Sequence, residues 1–247
     1  MTEHRLAATF VELAAVPDDV TQTPRFLDRF ATLTAQLLGV RAAVAVLAER
    51  RGEQAVAGSG TPGLAELELE AGVRGEGPGL LCMRRGREVP EVGLAGAVAR
   101  QRWPYYAPRA AQQFGCLRAG ALPLRHGDET LGALVLFFGS EPSLDPAALG
   151  IAGSLAEAAA ISLARGRELA ATRTLATQLQ QALSSRVVIE QAKGVLAARL
   201  SITVDESFQL LRGHARSARR PLADVAHEVV AGALRIELPG PRRGRRD

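Results

Sequence analysis

A helical period starts after Pro146 and runs through Leu149, Leu155, Ala159 and Leu163 to about Leu196. One period held over that length predicts a single long helix, and every other element has to be arranged around it. Within it Leu175, Leu179 and Leu183 fall four apart on one slowly drifting stripe, and the surrounding residues are largely Thr, Gln, Arg and Ser. A long helix with a narrow apolar stripe needs a partner, and a second copy of itself is the economical choice. These three leucines are therefore the expected dimerisation contacts of a coiled-coil linker. Packing back on its own domain is the alternative.

Upstream the pattern is mixed. Leu6, Phe10, Leu13 and Ala14 recur at helical spacing and stop at Pro17. A second amphipathic run begins at Pro24, carries Phe26, Phe30, Leu33, Leu37 and Leu38, and ends at Gly39. Val40, Val44 and Val46 alternate as a strand does, and Ala55–Ala57 is a weaker strand. From Gly58 to Gly79 the chain is rich in Gly and Pro, and Gly75–Gly79 is expected to be irregular backbone. Glu88–Val92 reads as a short extended piece. Leu117–Leu124 and Thr130–Phe138 read as strands joined by a hairpin turn at Arg125–Glu129.

Downstream, Thr203-Val-Asp-Glu206 has the form of a capping box, with Phe208, Leu211 and Ala215 facing inward along the helix that follows. Pro221 suits the first position of a last helix whose apolar face is Leu222, Val225, Ala226, Val229 and Val230. The tail Pro241–Asp247 is short and basic and is expected to be disordered. Lys193 is the only lysine of the chain. A compact ammonium suits a single phosphate contact and is not interchangeable with a guanidinium fork. A solvated helix position is the plainer reading of that residue.

Several chemistries are missing. The lone lysine precedes Gly194, so there is no Gly-Lys-Ser/Thr phosphate loop. No His-Glu-x-x-His or paired Cys-x-x-Cys occurs, and His4, His126, His214 and His227 are scattered. Gly75-x-Gly77-x-Gly79 has the wrong spacing for a dinucleotide, and Pro78 removes an amide. An enzyme, a metal site and a bound cofactor are therefore not expected. Two cysteines in 247 residues fit a reducing compartment. No uninterrupted apolar run is long enough for a bilayer, and Met1–Arg5 does not begin a leader, so no membrane partner and a cytoplasmic location are expected. The formal charge of +4 permits an anionic partner.

Two resemblances follow from particular residues. Arg186-Val-Val-Ile-Glu-Gln-Ala-Lys-Gly-Val-Leu196, Glu206-Ser-Phe-Gln-Leu-Leu-Arg-Gly-His-Ala-Arg216 and Leu222-Ala-Asp-Val-Ala226 with Val229 and Val230 resemble the ANTAR domain, an RNA-binding output module. Ser207 stands where that family usually has alanine, and Ala197 where methionine is common. Gly75-Glu-Gly-Pro78, Arg102-Trp-Pro104 with Tyr106 and Ala107, Ala121–Arg125 and Leu131–Phe137 resemble a GAF domain of the kind found ahead of ANTAR in actinobacterial proteins. Similar proteins read Gly-Pro-Cys-Leu-Asp in the first of these segments. Here Gly79 replaces the cysteine and Leu81 the aspartate, which puts a ligand or redox role for this loop in doubt.

The resemblance implies an α+β chain. A GAF sensor with an N-terminal helix would occupy residues 1–165, a coiled-coil linker helix 166–184, a three-helix ANTAR domain 185–236 and a basic disordered tail 237–247. The GAF part implies a central antiparallel sheet flanked by helices, with a cavity over one face. The ANTAR part implies binding of paired hairpins in transcript leaders and transcription antitermination, gated by the sensor.

Arg186, Lys193, Gly194, Arg199, Arg212, His214, Arg216, Arg219 and Arg220 are the candidate RNA-binding residues. Arg186, Lys193 and Arg199 follow at roughly helical spacing, and Arg212 and Arg216 share a face. Gly194 permits close approach of RNA or of another helix. Trp103, Tyr105, Tyr106 and Cys116 are the candidate wall of a pocket for an unknown small molecule, with a structural corner of the sheet as the plainer reading. Two other functions remain open at this point. One is a small-molecule or redox sensor whose helical tail engages a protein partner. The other is a GAF-type enzyme that reduces oxidised methionine, which the missing cysteine at Gly79 disfavours.

Overall fold

Pro24 supplies the pre-set φ of a first helical turn, and Gly39, at φ 66°, closes the same helix with its amide on the Ala35 carbonyl. This helix, α1 (Thr23–Leu38), buries Leu27, Phe30, Ala31, Thr34 and Leu37. The computed structural model describes residues 22–48 and 56–237, with Ala7 and Val11 as isolated positions. The helical run expected at Leu6–Ala14, the start of the strand at Ala55 and the tail from Leu238 onward lie outside the described residues.

Five strands, β1 (Ala42–Leu47), β2 (Val56–Gly58), β3 (Val89–Gly93), β4 (Arg118–His126) and β5 (Glu129–Phe138), pair antiparallel in the order β2-β1-β5-β4-β3. The β4–β5 hairpin pairs His126 with Glu129. Gly127, at φ 59°, takes the first of its two turn positions, where a tight hairpin favours glycine. All six residues of β1 are buried, because helices cover both faces of the sheet.

The two faces follow from strict alternation. Ala43, Ala45, Leu122, Leu134 and Leu136 point to α1 and to the first turns of a long helix, α6 (Pro146–Leu200), which contributes Ala152, Leu155, Ala156, Ala159 and Leu163. Val44, Val46, Ala121, Val135 and Phe137 point to the other face. There the Gly- and Pro-rich segment forms the helix α2 (Leu64–Arg74) and starts α3 (Pro78–Arg85), and two more short helices, α4 (Ala97–Arg102) and α5 (Tyr106–Phe114), follow β3. The expectation of irregular backbone over Gly75–Gly79 is thus corrected. Pro78 and Gly79 begin α3, and only the turn before them is irregular.

The long helix is observed without a break over its 55 residues. It is the one described helix long and apolar enough to cross a membrane by length and composition, yet 44% of its most apolar window is buried within the protein. Its later turns pack with α7 (Val204–Ser217) and α8 (Leu222–Val230) around Val188, Ala192, Leu196, Leu211, Val225 and Val229. The chain divides into two compact units, Met1–Ala171 and Thr172–Asp247.

Candidate functional site

The C-terminal unit is started and stopped by local chemistry. The Thr203 hydroxyl accepts from the Glu206 amide at 3.2 Å, and the Glu206 carboxylate accepts from the Thr203 amide at 2.8 Å, completing the expected capping box. The Thr203 amide and, second, the Thr203 hydroxyl, which donates to the same carboxylate at 2.8 Å, hold the Glu206 carboxyl below the usual range. Ser207, Leu211 and Ala215 form the buried row of α7. The expected inward position of Phe208 is corrected: it lies about 100° around the helix from Ser207 and is only half-buried. The Ser207 hydroxyl is satisfied by the Thr203 carbonyl at 2.9 Å, so a serine is accommodated where alanine is usual. Two further details differ at α8. Pro221 caps the helix from outside it, and Val230 remains 39% exposed.

The nine candidate RNA-binding residues fall into distinct groups. Lys193 is half-buried: its Nζ lies 2.9 Å from both Glu190 carboxylate oxygens and 5.5 Å from the centroid of the Phe208 ring. The lone lysine is therefore a paired cation seated over an aromatic ring. Arg220 is also committed, donating to both oxygens of Glu228 at 3.0 and 2.6 Å. That pairing keeps the Glu228 carboxyl low and the Arg220 guanidinium high. Arg186, Arg199, Arg212, Arg216 and Arg219 are exposed, and none has an ion pair among the described residues.

Helical geometry sorts these further. At about 100° per residue, Arg186 and Lys193 lie within about 20° of each other on α6, whereas Arg199 is about 120° from Lys193 and does not share its face. On α7, Phe208, Arg212 and Arg216 follow four apart along one row. Contact between Lys193 and Phe208 joins the two rows, and Arg219 follows at φ 53° in the turn after α7. Sequence reasoning missed Phe208 as a half-open aromatic inside this basic row. His214 is half-buried. Gly194 is exposed, and a Cβ there would meet nothing within 4 Å, so close helix packing does not account for it.

In the N-terminal unit three of the four expected pocket residues are buried and Tyr105 is half-buried. Trp103, Tyr106 and Cys116 are buried in the core under α5, and Tyr106 contacts Trp103 edge-on at 6.0 Å and Phe137 at 6.5 Å. Tyr105 is half-buried, with the Arg74 and Arg109 guanidinium groups 4.1 and 3.7 Å from its ring centroid. Glu76 accepts from the amides of both tyrosines at 2.9 Å and so caps α5. These ring contacts and backbone hydrogen bonds are the kind expected of a structural corner of the sheet.

The cavity on this side of the sheet has other walls, chiefly Val46, Leu47, Leu69, Val73, Leu80 and Met83. Glu68 also lines it and is only 4% exposed. The Tyr106 hydroxyl donates to Glu68 Oε1 at 2.5 Å. Burial pushes the Glu68 carboxyl up to about 7, against the opposing effect of that hydrogen bond. Its position was legible in principle, because Leu64, Leu67, Glu68 and Ala71 follow the i, i+3, i+4, i+7 pattern of a buried face.

Gly79 is explained by the same carboxyl. A Cβ at Gly79 would stand 2.8 Å from Glu68 Oε2 and 3.0 Å from Val135 Cγ2, so a side chain there requires the Glu68 carboxyl to move. The two cysteines present are free and buried. Burial raises Cys82 to about 12 and Cys116 to about 11, so neither offers the thiolate that redox chemistry requires. No cluster of metal-ligating side chains occurs among the described residues.

The GAF domain family model matches residues 23–164, more than half of the chain. The chain belongs to the GAF domain family. The ANTAR domain family model matches residues 177–230, beginning upstream of the expected boundary at 185. A GAF sensor unit followed by an ANTAR unit makes the chain a regulator with a sensor domain.

Several solved structures are similar to the chain at low identity. The GAF domain of Acinetobacter phosphoenolpyruvate-protein phosphotransferase is 16% identical, with 68% of this chain and 97% of that chain covered and a TM-score of 0.48. Bacteriophytochrome RpBphP3 of R. palustris is 10% identical, with 85% and 46% covered and a TM-score of 0.50. Free methionine-R-sulfoxide reductase of Neisseria meningitidis is 14% identical, with 68% and 95% covered and a TM-score of 0.47. No curated protein sequence matches the chain.

Proposed function

We propose that the chain is a cytoplasmic transcription regulator, not an enzyme, whose ANTAR unit binds paired hairpins in transcript leaders and promotes antitermination under control of the GAF unit. The boundaries that go with this reading are a sensor over 1–165, a linker helix over 166–184, an RNA-binding unit over 185–236 and a basic tail over 237–247. The observation that carries it is the joined row Arg186–Lys193 and Phe208–Arg212–Arg216, in which the three arginines are exposed and have no ion pair among the described residues. Free guanidinium groups in a row follow a phosphate backbone, and a half-open aromatic among them is a platform for an unstacked loop base.

Paired hairpins call for a paired reader, and the exposed leucines of α6 supply the means for a homodimer. The experiment is a salt series of binding to a two-hairpin transcript. Replacing Arg212 and Arg216 together with alanine is expected to weaken binding at least tenfold and to reduce the salt slope by about two. Unchanged affinity and slope would remove this row from the interface.

A further inference from the structure

The cavity of about 380 Å³ between β1, α2 and α3 has a polar feature that packing alone does not require. Glu68 is nearly fully buried, and only one of its carboxyl oxygens, Oε1, is hydrogen-bonded. Oε2 has no hydrogen-bond partner among the described residues. It lies beside the missing side chain of Gly79, next to Val46 and Val135, and Val46 is itself a wall of the cavity. Oε2 is not one of the buried polar atoms left without a partner, so it is open to water or to a molecule that fills the cavity. Val73, another wall residue, is 91% exposed, so the cavity reaches the surface.

We propose that this cavity binds a small, uncharged, largely apolar molecule whose carbonyl oxygen accepts a hydrogen bond from Glu68 in its acid form. Tyr106 of α5 already donates to Oε1, so the acid proton belongs on Oε2. Around this oxygen β1 and β5 bring apolar Val46 and Val135. The other ionisable group on the cavity lining is Arg84 of α3, an exposed cation that opposes an ammonium ligand. An uncharged acceptor is thus preferred over an amine. The burial that raises Glu68 to about 7 keeps the acid form available near neutral pH, and uptake falls as pH rises through that value.

Ligand binding here is independent of the RNA reading, because it is measured on the full chain without RNA. Three probes of nearly equal shape separate the possibilities: acetophenone, ethylbenzene and 1-phenylethylamine, titrated by calorimetry at about pH 5.5 and about pH 8.5. Acetophenone is expected to bind best and roughly tenfold or more tightly at the lower pH, since apparent affinity scales with the competent fraction. Glu68→Gln retains a donor and is expected to bind acetophenone equally at both pH values.

Gly72 lines the cavity and has open space at its Cβ, so Gly72→Leu is expected to exclude acetophenone. Binding that is absent, indifferent to pH, or strongest for the amine would overturn the proposal. The pH profile of the unmodified chain decides this even if a variant fails to fold.

Discussion

Gly194 sits inside α6 with no neighbour to excuse it. Glycine within a helix destabilises by roughly 0.5–1 kcal/mol relative to alanine, and nothing lies within 4 Å of its Cβ position. Gly194→Ala is accordingly expected to stabilise the C-terminal unit by that amount in a denaturant titration. If RNA backbone approaches the helix there, the same change weakens hairpin binding several-fold despite the gain in stability. A variant that is more stable and binds equally well would leave Gly194 without a role at the interface.

At this scale the sequence revealed residue types better than their states. Lys193 stood out by its uniqueness, but its pairing with Glu190 depends on rotamers, and its contact with Phe208 depends on α7 returning against α6. Composition carries neither. The aromatic trio at Trp103–Tyr106 suits either a structural corner, the plainer reading, or a pocket wall, because the residue types are the same in both. Only the placement of α5 over Phe137 separates the two.

At the scale of elements, strong periods were legible and short ones were not. The β4–β5 hairpin, α1 and the long helix follow from alternation, Pro24, Gly39 and a sustained helical period. The segment Leu-Ala-Glu-Leu-Glu-Leu-Glu of α2 alternates like a strand, yet folds as a helix because α2 covers the sheet and buries Leu64, Leu67 and Glu68. Residues 171–184 of α6 are all exposed, and the row of Leu175, Leu179 and Leu183 continues to Val187, which sequence reading had not included.

A four-residue spacing drifts by about 40° per step, so this row is a ridge inclined to the axis and not a heptad seam. Two copies meeting through it are expected to cross over a short contact centred on Leu179 and Leu183. Leucine burial is worth about 1.5 kcal/mol or more per side chain. Replacing Leu179 and Leu183 together with serine should therefore convert a dimer to monomer at micromolar concentration in sedimentation equilibrium. A chain that is already monomeric without the change would refute pairing through this row.

At the scale of the whole molecule, the two units differ in how much they bury. The sheet carries clusters of twenty-one and twenty buried residues among those described, whereas the C-terminal unit has nine. Small cores are marginal, so calorimetry is expected to resolve two transitions with the C-terminal unit melting first. On the proposed function, hairpin RNA would bind only the folded form of that unit and should raise only the lower transition.

The upper transition should instead respond to pH through Glu68. Its carboxyl titrates near 4.5 when unfolded and at about 7 when folded, so between these values the folded state holds the extra proton. Stability from this group is full below about pH 4.5 and is lost as pH rises through 7, an effect on the order of 3 kcal/mol. Glu206 and Glu228 of the other unit are shifted downward, so their contributions fade only in acid, below that window. Glu68→Gln should flatten the pH dependence of the upper transition between about pH 5 and 7.5 and leave the lower one unmoved. A single transition, or a lower transition that shifts with Glu68→Gln, would mean that the two units do not unfold independently.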